Sequence, residues 1–197
     1  MTLIDLMVAM GLFMLLTTAL FAIFFLGGRA WRKTDDRYEL LRNTQVVAAQ
    51  IAREAERSSA FSVSIVPGRA VSFLSPVNDA GNCVTDNFGL IRWERYVIFY
   101  LDAATQQVRM LHVPLLPASL ERATPQPIER FFSLTGMHPL ADYLVGGRIL
   151  GRRITLFEPE MPPATKRLNV RLRTLQPSTT QNPDLTLDMA TYALMRN

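Results

Sequence analysis

The sequence has few of the residues that build metal and disulfide sites. Among its 197 residues are one cysteine, Cys83, and two histidines, His112 and His138. A single thiol excludes a disulfide framework within the chain and a zinc site built on several cysteines. Neither histidine has a Cys, Asp or Glu at metal-ligand spacing, so both are expected in core or surface positions. We therefore expect no metal and no cofactor, and we assign Cys83 no role.

The common catalytic motifs are also missing. The sequence has no Gly-x-Ser-x-Gly, no P-loop and no His-Glu-x-x-His. Gly146-Gly147-Arg148, followed by Gly151, is too short for a phosphate loop and predicts a tight turn instead. The carboxylates that a calcium site would draw on are Asp79, Asp86, Glu158 and Glu160, and their spacing matches no calcium loop. The sequence predicts a protein that is not an enzyme.

Basic residues are in excess but are not grouped. The chain has 21 Lys+Arg against 17 Asp+Glu, and the arginines are spread along it. The pairs Arg152-Arg153 and Lys166-Arg167 are typical of solvated faces, with contact to a partner subunit as the alternative. Nucleic acid is therefore not expected as a partner.

Charge is nearly absent from the start of the chain. Mean hydropathy over the whole chain is only +0.12, but 21 of the first 28 residues are hydrophobic and Asp5 is their single charge. The uncharged run from Leu6 to Gly28 exceeds the about 20 residues that a helix needs to cross a bilayer. The rest has the composition of an ordinary soluble domain. The sequence predicts a membrane segment joined to a water-soluble domain.

Two simpler explanations of this run were weighed. A secretory signal peptide would have a basic start, an apolar run of only about 7–15 residues and a small-residue cleavage site, none of which is seen. The run instead ends at Gly27-Gly28, and Arg29, Trp31, Arg32 and Lys33 follow it, as at a membrane exit with an aromatic anchor. The second explanation is a signal-anchored single-pass membrane protein whose extracytoplasmic domain binds a ligand or partner. It leaves Asp5 unexplained, because a charge in a membrane span costs about 2.5–3.5 kcal/mol.

The helical pattern continues beyond the membrane segment, since proline is absent before Pro67. After residue 40 one helical face carries Leu40, Leu41, Thr44, Val47, Ala48, Ile51, Ala52 and Ala55. The opposite face carries Glu39, Arg42, Gln50, Arg53, Glu56 and Arg57. This spacing predicts one helix from about residue 2 to Ser58, roughly 85 Å long. Its second half is amphipathic and is expected to pack on its own domain.

Beyond Ser59 the pattern changes to the two-residue period of strands. Strands are predicted at Ala60–Val66, Ala70–Leu74, Ile91–Leu101, Val108–Val113, Ile149–Phe157, Lys166–Leu175 and Leu185–Met195. Residues 114–148 are irregular, with a short helix near Leu140–Leu144. The fold class is α+β, a mostly antiparallel sheet packed on the amphipathic half of the helix. The expected divisions are a membrane or filament-core segment (1–28), the amphipathic continuation of the helix (29–59) and an extracytoplasmic β-rich domain (60–197).

The first ten residues, Met1-Thr2-Leu3-Ile4-Asp5-Leu6-Met7-Val8-Ala9-Met10, resemble the mature N-terminus of type IV pilins and type II secretion pseudopilins. The usual pattern there is Phe-Thr-Leu-Ile-Glu, followed by Leu, another apolar residue and Val. Asp5 stands in place of the usual Glu, and Met1 in place of the usual Phe. The length and the ending Tyr192-Ala193-Leu194-Met195-Arg196-Asn197 are most similar to the J-type minor pseudopilin or the W-type minor pilin.

The resemblance implies a processing route and a location. Family members carry a basic leader ending in Gly, which a prepilin peptidase removes before it methylates the new N-terminus. Either this sequence is the mature form or its start codon lies too far downstream, and both put Met1 at the methylated position. The resemblance also implies a single pass through the inner membrane, with a cytoplasmic N-terminus and the domain in the periplasm or outside the cell. Arg29, Arg32 and Lys33 favour the opposite orientation, and leader charges would compete with them.

The resemblance further implies a filament subunit whose partners are other pilin or pseudopilin subunits, the inner-membrane assembly platform and, before assembly, the lipid bilayer. In a filament the N-terminal helices bundle away from water, with Leu3, Ile4, Leu6 and Val8 as helix contacts. Asp5 buried there needs a cation. The nearest is the α-amino group of Met1 on the adjacent subunit, and this pair would set the axial register between subunits.

Overall fold

A computed structural model of the chain describes residues 3–117, 119–133, 135–163, 165–176 and 185–196. The side chains of Asp5, Arg29 and Lys33 lie outside this description. The chain forms two compact units, residues 1–39 and residues 40–197. A long helix is followed by antiparallel strands, which confirms the α+β class.

The helix α1 covers Leu3–Arg57. Residues up to 39 belong to the first unit, and the second unit begins with Leu40. After Arg57 the Ser59 hydroxyl accepts a hydrogen bond from the Phe61 amide and starts a 3-10 turn at Ala60–Ser62. The predicted end of the helix at about Ser58 is confirmed.

Ten strands are found in the described ranges. They are β1 Ser64–Val66, β2 Ala70–Ser75, β3 Arg95–Asp102, β4 Gln107–Pro114, β5 Phe132–Ser133, β6 Gly136–Met137, β7 Arg148–Arg152, β8 Ile154–Glu160, β9 Arg167–Gln176 and β10 Leu185–Leu194. One sheet has the order β1-β2-β3-β4-β7, a second has the order β10-β9-β8, and β5 pairs with β6. All these pairings are antiparallel.

Three strand predictions need correction. Ile91–Leu101 pairs as a strand only from Arg95 onward, and Ile91 makes an isolated bridge with Thr85. Ala60–Val66 is not one strand, because it starts as a 3-10 turn and only Ser64–Val66 pairs. Ile149–Phe157 is two strands in different sheets, and the chain turns between them at Arg153, whose φ of 61° lies in the left-handed region. The strands consequently divide between two sheets rather than one. The predicted short helix near Leu140–Leu144 is confirmed as a 3-10 helix, Leu140–Tyr143.

The main core lies between the second half of α1, one face of the five-stranded sheet and the inner face of the three-stranded sheet. The predicted apolar stripe faces it: Val47, Ile51 and Ala55 are at most 1% exposed. Each such Val or Ile contributes roughly 1.5–3 kcal/mol by leaving water. The Thr44 hydroxyl lies 3.4 Å from that of Thr174, which places α1 close to β9.

One charged side chain lies within this buried stripe and was not predicted there. Glu54 is 7% exposed, and its carboxylate accepts hydrogen bonds from the Ser75 hydroxyl at 3.1 Å and the Gln50 amide at 3.4 Å. Its spacing from Val47 and Ile51 puts it on the apolar face, a signal the sequence does contain. Glu54 thereby ties the end of α1 to the end of β2.

A second core covers the other face of the five-stranded sheet, where the segment between β4 and β7 packs on it. The rings of Tyr96 and Phe131 lie 5.6 Å apart. The Tyr96 hydroxyl donates to the Gln126 carbonyl at 2.8 Å. Burial, followed by the nearby carboxylates of Glu121 and Glu129, raises the pKa of Tyr96 far above its usual value. The phenol therefore stays protonated and serves as a donor.

The outer face of the three-stranded sheet is polar. Along β9, Leu168, Val170 and Leu172 are buried and alternate with exposed or half-exposed polar residues, which confirms the predicted half-buried strand. The Arg173 Nε lies 2.7 Å from an Asp188 carboxylate oxygen on β10. Hydrogen bonding to Arg173 lowers the pKa of Asp188 below its usual value.

We expect Asp188→Asn to lower the melting temperature at pH 7 by at most a few degrees, because this pair is exposed. Since the folded pKa is depressed, the stabilisation is present above the usual carboxyl pKa of about 3.9 and is lost as pH falls through the lower folded value. Melting curves of wild type and variant should therefore converge in acid. Glu56→Gln, another exposed carboxylate, is the control and should show no such pH-dependent difference. A difference for Asp188→Asn that persists in acid would contradict the electrostatic cause.

Candidate functional segment: the apolar N-terminal helix

The first part of α1, residues 3–28, is here called the apolar segment. Its mean hydropathy reaches 2.4 over an 18-residue window, and none of that window is buried. It is long and apolar enough to span a membrane, by length and composition. This confirms the coarse prediction of one N-terminal helix that is long and apolar enough to span a membrane.

The predicted contact residues lie on the surface of this helix. Leu3, Ile4, Leu6 and Val8 are 75%, 71%, 54% and 57% exposed. Their contacts with other subunits stay a prediction. Asp5 has helical backbone within α1, and its side chain lies outside the described part of the chain, as does the whole of Met1.

Two threonine hydroxyls within the apolar segment are satisfied by the helix itself. The Thr17 hydroxyl donates to the Phe13 carbonyl and the Thr18 hydroxyl to the Met14 carbonyl, both at 2.8 Å. Such bonds suit an environment without water, where every polar group needs an internal partner. The backbone stays helical through Gly27-Gly28.

Aromatic side chains follow the segment. Trp31 and Tyr38 are 80% and 66% exposed on the continuing helix. The Thr34 hydroxyl between them donates to the Ala30 carbonyl at 2.9 Å. An exposed Trp at this distance from the apolar run suits an interfacial anchor.

The two histidines lie apart, and one has a partner that the sequence analysis missed. His112 lies at an exposed position of β4; partial desolvation, and then the Arg95 charge, lower its pKa. His138 Nδ1 lies 3.5 Å from an Asp142 carboxylate oxygen, at i,i+4 spacing, and its ring meets Tyr143 edge-on. In the described part of the chain, no three His, Cys, Asp or Glu side chains are grouped as a metal site.

The structure does not bring the four carboxylates of the considered calcium site together. Asp79 binds Arg95 Nη1 at 2.8 Å. Asp86 accepts hydrogen bonds from the Phe88 and Leu90 amides of its own loop. Glu158 and Glu160 lie on β8. Each therefore serves its local structure.

The remaining motifs are structural. Gly146 and Gly147 have φ of 77° and 86°, which confirms a tight turn. Arg152 is exposed at the end of β7, and Arg167 lies 4.2 Å over the Tyr192 ring. Cys83 is an exposed free thiol.

Comparison of the chain with protein-family models, with curated proteins and with solved structures gives no match. Its relationships therefore rest on its own residues. What the structure establishes is an α+β protein with a long N-terminal helix that is apolar enough to span a membrane.

Proposed function

We propose that this chain is a minor pilin or pseudopilin, a structural subunit that assembles into or primes a type IV pilus or type II secretion pseudopilus through its N-terminal helix. One observation carries the proposal: the pattern Met1–Met10 places a carboxylate, Asp5, at the fifth position of an otherwise uncharged apolar helix. A charged side chain in a membrane span is so costly that a function is the default explanation for it.

The exposure of the apolar segment supports this proposal. Its large side chains, from Leu3 to Leu26, are about as exposed as on an isolated helix, with Phe24 at 78%. Such a surface needs lipid or other apolar helices around it. Lipid before assembly and neighbouring subunits after it would cover the same residues, and this exchange is what filament assembly from a membrane requires.

The second unit supports a structural role in a different way. The helix residues from Leu40 onward are docked on two sheets through a continuous buried core. The part of α1 that belongs to the second unit is thereby held on a β-rich domain with a packed core. This suits a subunit displayed on a filament.

The N-terminus tests the proposal. We expect that, in a host with an active prepilin peptidase, intact-protein mass spectrometry will show a chain starting at Met1 and heavier by one methyl group. Expression in the same host without the peptidase is the control, and there the leader should be retained. An unmethylated Met1 in both hosts would contradict the proposal.

The alternative is a signal-anchored protein with an extracytoplasmic binding domain. The DNA upstream of Met1 distinguishes the pilin from the signal-anchored protein. A pilin gene encodes a leader with basic residues and a final Gly directly before Met1. A stop codon or a non-basic stretch there would favour the signal-anchored protein. Either outcome decides between the two classes without a structural experiment.

A further inference from the structure

A cleft of about 410 Å³ lies on the second unit, on the face of the five-stranded sheet that points away from α1. The residues that matter in it are Arg69, Tyr100, Asp102, Arg109, Val145 and Gly146. We call it the arginine cleft. Its size is in the range of small-ligand sites, which are about 300–1,000 Å³.

The arginine cleft has an excess of positive charge. Arg109 Nη2 lies 3.4 Å from an Asp102 carboxylate oxygen, and it donates to the Gln107 amide oxygen at 3.2 Å. The Arg109 Nε is buried without a hydrogen-bond acceptor in the described part of the chain. Arg69 is exposed, and the ion pairs seen among described residues do not include it. The cleft thus contains two guanidinium groups and a single carboxylate. It therefore has more N–H donors than this carboxylate accepts.

Tyr100 forms the floor of the cleft and holds its rim. Its hydroxyl donates to the Gly146 carbonyl at 2.6 Å, which fixes the loop carrying Val145. The Val145 side chain is 79% exposed at this rim. Burial raises the pKa of Tyr100. The positive charges of Arg109 and Arg69 act in the opposite direction, but their effect is smaller than that of burial. Both arginines line the cleft together with Tyr100.

The cleft lies at the end of the sheet where α1 enters the second unit. A Cβ placed on Gly151 would lie 2.6 Å from Val47 Cγ2 and 3.6 Å from the Asn43 carbonyl oxygen, and Gly151 pairs with Val108 beside the cleft. At the opposite end of the sheet, Ser75 binds Glu54, eleven residues further along α1 than Asn43. The cleft is thus at the Leu40 end.

That end is also the one tethered to the apolar segment. Only residues 29–39 separate Gly28 from Leu40, and eleven residues reach at most about 40 Å even when fully extended. These eleven residues therefore connect any bilayer that holds the apolar segment to this end of the second unit.

We propose that the arginine cleft binds the phosphate of an anionic phospholipid headgroup, with Val145 entering the interfacial region. The guanidinium groups of Arg69 and Arg109, which line the cleft, supply the planar donors that suit phosphate oxygens, while Asp102 holds Arg109 in place. Near an anionic membrane surface each arginine raises the binding affinity about fivefold. This proposal goes beyond filament assembly, and it rests only on the membrane-anchored part of the proposed function.

The test uses the full chain in detergent micelles, with native mass spectrometry to count bound lipid during titration with phosphatidylglycerol or phosphatidylcholine. We expect phosphatidylglycerol to bind more tightly, and Arg69→Gln/Arg109→Gln to weaken it about 10- to 30-fold. The matched control is Arg57→Gln/Arg196→Gln, which removes two exposed charges from the other end of the second unit and should bind as wild type does. Arg69→Gln alone, a change at an exposed side chain, should weaken binding about fivefold and keeps the test valid if the double variant is unstable.

Three results would overturn the proposal. One is an equal loss of phosphatidylglycerol binding in both double variants. That result would mean that the lipid binds to the helix or responds only to the net charge of the protein. Another is equal binding of phosphatidylcholine. The third is displacement of the lipid by millimolar inorganic phosphate, which would make the cleft a site for the free ion. None of these results alters the N-terminal methylation test, so the two proposals fail independently.

Discussion

Asp5→Ala is expected to remove the subunit from filaments, while Asp5→Glu is expected to incorporate at least as well as wild type. In a helix bundle without water, the Asp5 carboxylate and the α-amino group of Met1 on the adjacent subunit would form the pair that sets the axial register. Removing one partner of a buried ion pair costs about 3–5 kcal/mol, because the other charge is left uncompensated. Incorporation should therefore fall by roughly 150- to 5,000-fold.

Two further variants sharpen this experiment. Asp5→Asn keeps the shape of the side chain and removes its charge, so it should behave as Asp5→Ala does. Asp35→Ala removes a carboxylate elsewhere in α1, where the side chain is exposed, and should incorporate normally. The measurement is the amount of subunit in sheared filaments relative to the amount in the membrane.

The ratio matters because membrane insertion and assembly respond differently to Asp5. Losing a charge from an apolar segment makes insertion easier, so the membrane level of Asp5→Ala should not fall. A lower membrane level would mean that the variant is degraded before assembly, and the Asp5→Glu result would then decide. Normal incorporation of Asp5→Ala would show that Asp5 does not set the register.

Local signals in the sequence predict much of this fold. The end of α1 can be predicted because Ser58-Ser59 follows the last helical residue and the spacing of the hydrophobic residues then changes. The β3–β4 hairpin is readable because Asp102–Gln106 interrupts two apolar runs. Both features depend on neighbouring residues alone, and both are found in the structure.

What the sequence does not predict depends on packing between distant segments. The chain leaves one sheet for the other at Arg153, and nothing in the run Ile149–Phe157 marks this point apart from Gly151. The spacing of Glu54 places it on the apolar face of α1, but nothing near it in the sequence identifies its partner Ser75, which is twenty-one positions away. The arginine cleft joins residues from four separate stretches. No local pattern brings Arg69 and Arg109 together; the pairing of β2 with β3 and of β3 with β4 does.

Gly151→Val is expected to destabilise the second unit by about 3 kcal/mol, the upper end of the usual cost of overpacking. A Cβ at this position would lie 2.6 Å from Val47 Cγ2 and 2.9 Å from Ile154 Cδ1. Val47 and Ile154 are both fully buried and β-branched, so neither side chain adjusts easily. The backbone of β7 or the helix itself must then shift.

Denaturant unfolding of the full chain in detergent measures this effect, and Gly151→Ala should show a smaller loss of about 1–2 kcal/mol. Gly11→Ala is the control, since nothing lies within 4 Å of the Cβ it would add. Equal stability of wild type and Gly151→Val would mean that β7 does not lie against α1 in the folded protein.

Val47→Ala provides the more specific test of that contact. Alone it should destabilise by about 1–3 kcal/mol, because it leaves a cavity in the main core. Combined with Gly151→Ala, it removes the methyl group that the new Cβ would strike, so the double variant should be at least about 1 kcal/mol more stable than the sum of the single effects. If the double variant shows only the sum of the single effects, the loss of stability in Gly151→Ala arises from a contact elsewhere in the sheet. Favourable coupling would identify Gly151 as the residue that lets β7 approach α1 within the second unit.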